Sequence, residues 1–231
     1  MNSIEVNTDP EQLAISPSEE FIYVSNEDTG TATITAIASG EPLKTLITGI
    51  EPEGVTISPD GRWVYVMAET SSTVTVIDTE KQEVVKTFSV GTRPRDAAFS
   101  PDGTRAYISS EVGQSLSVVD VSTHTVIANV PLNHREGMKP VGVAVAPDAR
   151  TIYVAGGRAN CVTAIDASSL KILADVPAGN RVWGIALSPD GTSLYASAGL
   201  SSDLTVIDTV NLSPIKTIKT GQGPWGVAVR P

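Results

Sequence analysis

The chain has 231 residues, of which 41% are apolar, 18% charged and 5% aromatic, and its formal charge is −10 at pH 7. That negative field opposes a sequence-independent grip on nucleic acid or on an anionic membrane surface, and no apolar run approaches the roughly 18 residues of a membrane span. A single cysteine, Cys161, excludes an internal disulfide, and the start MNSIEVNTDP has neither the basic nor the apolar region of an export signal.

In chain order, the first stretch, IEVNTDPEQLAIS, aligns with the later FSVGTRPRDAAFS, so it predicts the last strand of one unit leading into the first strand of the next. A repeat then takes over: ISPSEEFIYVSN at 15, ISPDGRWVYVMA at 57, FSPDGTRAYISS at 99, VAPDARTIYVAG at 145 and LSPDGTSLYASA at 187. The five tyrosines fall one per unit, at Tyr23, Tyr65, Tyr107, Tyr153 and Tyr195. Each unit holds four short apolar or alternating runs, in the second GVTIS, RWVYVMA, STVTVID and EVVKTFSV, which are strand-length and too short for helices. Pro59-Asp60-Gly61 between the first two runs predicts a tight hairpin, and Asp78, Asp120, Asp166 and Asp208 after the third predict side-chain caps on the next turn.

Four antiparallel strands per unit make a β-propeller blade. The fold class is therefore all-β, one propeller domain over 1–231 with complete units at about 12–53, 54–95, 96–141, 142–183 and 184–225. The opening strand and a closing strand at 226–231 are expected as partial strands, leaving an incomplete ring whose open edges invite dimerisation.

In each blade the loop entering the innermost strand and the loop between strands two and three share one face, the top. Aligned positions there are Asp9 and Glu11, Glu51 and Glu53, Arg93 and Arg95, Lys139 and Val141, Arg181 and Trp183, Gly223 and Trp225. The second loops add Glu27, Glu69 and Glu111, then Arg158. Arg93, Arg95 and Arg181 would suit an anionic group with Trp183 or Trp225 as a stacking wall; alternatively, opposite charges satisfy each other around a solvated rim. The longest such loop, NHREGMKP at 133–140, is four residues over the repeat length and is expected to project over the channel mouth, with His134, Arg135 and Glu136 as recognition residues. His124 falls on the opposite face, so the two histidines do not share a metal, and neither metal nor cofactor is expected. No nucleophile elbow is present, which favours a non-catalytic protein; the alternative is a lactonase-like hydrolase with its site at the same mouth.

YVSNEDTGTATI, SPDGRWVYV and STVTVIDT resemble the YVTN-type propeller repeat. The ordered set EPEGVTISPDGRWVYV, RPRDAAFSPDG, HREGMKPVGVAVAPD, GRANCVTAID, RVWGIALSPDG and GPWGVAV resembles the PQQ-dependent catabolism-associated propeller family. That resemblance implies seven blades, a periplasmic location, no catalysis, and a dehydrogenase, a cytochrome or a small ligand as partner. Two units and an export signal would then be missing from the N-terminal side, and the start as it stands implies a cytoplasmic chain.

Overall fold

A computed structural model describes residues 4–230. Twenty strands form five separate four-stranded antiparallel sheets. Blade 1 holds β1–β4 (Pro10–Ile15, Phe21–Asn26, Thr31–Ala36, Pro42–Ile47) and blade 2 holds β5–β8 (Pro52–Ile57, Trp63–Ala68, Thr73–Asp78, Glu83–Ser89). Blade 3 holds β9–β12 (Pro94–Phe99, Arg105–Ser110, Ser115–Asp120, Thr125–Pro131) and blade 4 β13–β16 (Val143–Val145, Thr151–Ala155, Cys161–Asp166, Ile172–Pro177). Blade 5 holds β17–β20 (Val182–Leu187, Ser193–Ala198, Asp203–Asp208, Ser213–Lys219). Within each sheet the strands follow chain order, the meander the four runs predict.

The turns obey their chemistry. Gly61, Gly103 and Gly191 adopt φ of +73°, +69° and +70°, as the Pro-Asp-Gly hairpin requires. The first and fourth units reach the same conformation with Glu19 (φ 55°) and Ala149 (φ 60°), where a Cβ makes it costly. The recurrent aspartates cap: Asp78 accepts the N–H groups of Glu80 and Lys81, Asp166 those of Ser168 and Ser169, and Asp208 those of Val210 and Asn211.

Blades pack face to face through alternate side chains. Tyr65, Met67, Val74 and Val76 of blade 2 meet Ala97, Phe99, Ala106 and Ile108 of blade 3. Tyr23, Tyr65, Tyr107 and Tyr153 are buried in such layers, whereas Tyr195, on the outer face of blade 5, is only half-buried. Near the axis, serines bridge blades: Ser25 accepts the Gln12 N–H and donates to the Glu53 carbonyl, and Ser109 donates to that of Val141.

The terminal segments correct one expectation. Residues 4–7 and 224–230 form no strand, because no ladder of paired backbone bonds runs along either segment, so the partial strands expected at the two ends are not formed among the described residues. The C-terminal segment nevertheless holds the place of an innermost strand: Gly184 donates to the Trp225 carbonyl as Gly142 donates to that of Trp183. Residue 231 lies outside the described residues.

Candidate functional site

The loops that enter the innermost strands share one backbone device. Asp9, Glu51, Arg93 and Arg181 adopt φ of 54°, 56°, 60° and 60°, with Gly223 at 62°. Each non-glycine pays about 1 kcal/mol or more for this conformation, which turns the chain sharply so that the side chain two residues on enters the channel. The carbonyls of Asp9, Glu51 and Arg93 accept the N–H groups of Glu27, Glu69 and Glu111, each at 2.8 Å. That bond ties the second top loop of each blade to the first and fixes an acid beside the channel.

Between blades 2 and 3 this arrangement assembles an ion cage. The Arg95 guanidinium, 9% exposed, contacts Glu53 at 2.5 Å, Glu69, and Glu111 at 3.1 Å. Arg93 adds bonds to Glu69 at 2.5 Å and Glu111 at 3.4 Å. Two guanidinium groups thus face three carboxylates, so the expected anion seat on Arg93 and Arg95 is filled by the protein's own acids. The satisfied-rim alternative describes this part of the mouth.

Next to the cage, Trp183 and Trp225 stack with ring centroids 3.9 Å apart. Trp183 is buried, with the guanidinium groups of Arg181 and Arg95 over its ring at 4.7 and 5.3 Å, while Trp225 is 56% exposed. The channel end is a cleft of about 190 Å³ lined by Glu11, Gln12, Glu53, Arg95, Asp96, Trp183 and Trp225 among others.

Asp96 is held at both oxygens, by the Ala97 N–H at 2.8 Å and the Val143 N–H at 3.0 Å, yet burial pushes it up to about 6. Glu11 is pushed up to about 7 by partial desolvation, then by Glu53, Glu27 and Asp9 around it. Asp96 and Gln12 escape sequence reasoning. The available signal is their register: they are the two polar residues at a position that is glycine in the other units, Gly54, Gly142, Gly184 and Gly226.

Lys139, Arg158 and Arg181 line a second, smaller hollow behind Trp183, together with Glu111. Among the described residues no carboxylate pairs with those three cations. The indole of Trp183 therefore separates an acidic hollow from a basic one.

His134, Arg135 and Glu136 do not line the channel. His134 Nε2 lies 2.9 Å from Asp175 on β16, the outermost strand of blade 4, and Arg135 approaches the same carboxylate at 4.0 Å. The loop turns outward because its apolar ends are anchored: Leu132 and Met138 are fully buried between blades 3 and 4. Truncating Met138 to alanine is expected to cost about 2–5 kcal/mol, whereas His134→Ala costs under about 1 kcal/mol as an exposed pair; thermal melts of the two variants check this. His124 is buried on the opposite face, its Nδ1 2.7 Å from the Tyr65 hydroxyl, and its pKa is lowered by burial and by Lys86. Burial raises the Cys161 thiol to about 11, which keeps it protonated at neutral pH.

Asp9, Glu11 and Glu27 bring one oxygen each within 4.8 Å of the others, an exposed acidic cluster on blade 1.

Comparison with known proteins places this geometry in context. Residues 7–85 match the family model described as a lactonase, 7-bladed beta-propeller, and residues 110–225 match that of the cytochrome D1 heme domain. No curated protein matches. Among solved structures, hydrazine synthase of Kuenenia stuttgartiensis superposes with a TM-score of 0.57 at 18% identity, over 98% of this chain and 91% of that one, a likeness of fold. The residues present do not fit a haem: no histidine or methionine lines the cleft, His124 and His134 are engaged elsewhere, and Met67 and Met138 are sealed between blades. The cleft is also smaller than the roughly 300–1,000 Å³ of ordinary small-molecule sites. With the match to 110–225 covering just over half of its length, the chain belongs to the cytochrome D1 heme domain family of β-propellers.

Proposed function

We propose that this protein is a non-catalytic binding propeller that recognises a small ligand, or a side chain of a partner, at the top end of its channel. The observation that carries this reading is the indole pair: an exposed Trp225 stacked on a buried Trp183 beside two carboxylates, Glu11 and Asp96, that no cation pairs with among the described residues. An exposed, pre-stacked aromatic in a cleft is the kind of surface that becomes a binding hot spot. The resemblance to the PQQ-dependent catabolism-associated propellers extends the proposal to a periplasmic setting, with a quinoprotein dehydrogenase or its cytochrome as the partner. Dimerisation through the open strand edges is a further part of it.

The lactonase match to 7–85 supports the alternative of a hydrolase. Against it, the guanidinium that would stabilise an oxyanion is enclosed by Glu53, Glu69 and Glu111, and the cleft lining offers no hydroxyl or thiol nucleophile. The test pairs capture with turnover. The purified chain is expected to retain a quinoprotein dehydrogenase, its cytochrome or a small molecule, losing it in Trp225→Ala with an unchanged melting temperature, and to leave a panel of lactones intact. Lactone hydrolysis that disappears in Glu11→Gln would overturn the non-catalytic reading.

A further inference from the structure

We propose that the ligand is a small organic cation, an alkyl- or quaternary ammonium group, held against the open face of Trp225 and facing Glu11 and Asp96. This rests on the binding reading above and gives it a chemistry. The charges lining the cleft are three carboxylates, Glu11, Glu53 and Asp96, against one guanidinium, Arg95. Glu53 spends its charge on Arg95, and Arg95 is further compensated by Glu69 and Glu111. The cleft therefore presents uncompensated negative charge and no free cation of its own, the reverse of an anion site.

The aromatic wall points the same way. Two guanidinium groups already sit over the Trp183 ring, so cation–indole contact is the chemistry this corner uses internally. The stacked, exposed Trp225 offers the remaining ring face to solvent. A cation there would also relieve the repulsion that Glu53, Glu27 and Asp9 exert on Glu11. Occupancy should then follow the ionisation of Glu11 and Asp96, strengthening as pH rises through about 6 to about 7, because the cation binds the charged carboxylates and competes with protons.

Choline can be titrated against its uncharged isostere 3,3-dimethylbutan-1-ol, read by the fluorescence of the chain's three tryptophans, Trp63, Trp183 and Trp225. We expect saturable quenching by choline, at least about tenfold weaker binding of the isostere, and about tenfold losses in Trp225→Ala and Glu11→Gln, both exposed positions that fold without these side chains. Affinity for choline should fall about tenfold from pH 8 to pH 5.5. A trimethyllysine peptide binding more tightly than choline would identify a partner's side chain as the source, and comparable affinities a free ligand. Equal binding of the isostere, or a response to calcium ions alone through Asp9, Glu11 and Glu27, would overturn the inference. Benzoate binding that depends on Lys139 and Arg158 would overturn it too while leaving the binding reading standing. No saturable response to any of these probes, with partner capture unchanged in Trp225→Ala, would remove both.

Discussion

Arg95→Ala is expected to lower the melting temperature by about 10 °C. The side chain is 9% exposed and is met by Glu53 from β5, Glu69 from the loop after β6 and Glu111 from the loop after β10. Removing it leaves three carboxylates converging on a buried space with only the half-exposed Arg93 for compensation. Breaking a buried ion pair from one side costs about 3–5 kcal/mol, and a domain of this size loses roughly 2–4 °C per kcal/mol. Adding Glu69→Gln to Arg95→Ala should recover part of the loss, because one unpaired charge is gone. A melt of Arg95→Ala within 2 °C of the parent at pH 8 would show that the cage contributes no stability. It also follows that Arg95→Ala is no clean probe of binding, since its effect on a ligand would be mixed with its effect on the fold.

The strand layout was legible because it repeats. A unit that places tyrosine, Pro-Asp-Gly and an aspartate cap at fixed offsets states where each strand turns, and the fifteen ladder pairings follow the expected hairpin order. The top-face positions were legible for the same reason. What spacing does not encode is which loops of different blades meet. Glu53 and Glu69 come from blade 2 and Glu111 from blade 3, and their convergence on Arg95 depends on the angle between blades rather than on any motif. The outward turn of 133–138 was hidden similarly, although Met138 was a usable signal: a methionine in a polar insertion is well placed to be an anchor, and here it is fully buried.

The glycine register beside the channel gives the second large effect. Gly54, Gly142, Gly184 and Gly226 occupy one repeat position, yet the structure separates them sharply. A Cβ on Gly54 would lie 2.3 Å from the Arg95 carbonyl oxygen and 2.6 Å from Met67 Cε, whereas one on Gly226 meets nothing within 4 Å. Gly54→Ala should therefore push blades 2 and 3 apart at the axis, with an overpacking cost near 3 kcal/mol, or about 6–12 °C in melting temperature. Gly226→Ala should leave the melt within about 1 °C, since its cost is that of an exposed substitution. Because the clash falls on the backbone of Arg95, Gly54→Ala must also displace the guanidinium from Glu53 and Glu69, and the two substitutions share one loss. The double variant Gly54→Ala/Arg95→Ala is then expected to melt well above the sum of the single effects, by at least about 1 kcal/mol of coupling. Strict additivity would mean that blade spacing and the ion cage are independent, contrary to the close fit of one carbonyl against one missing methyl group.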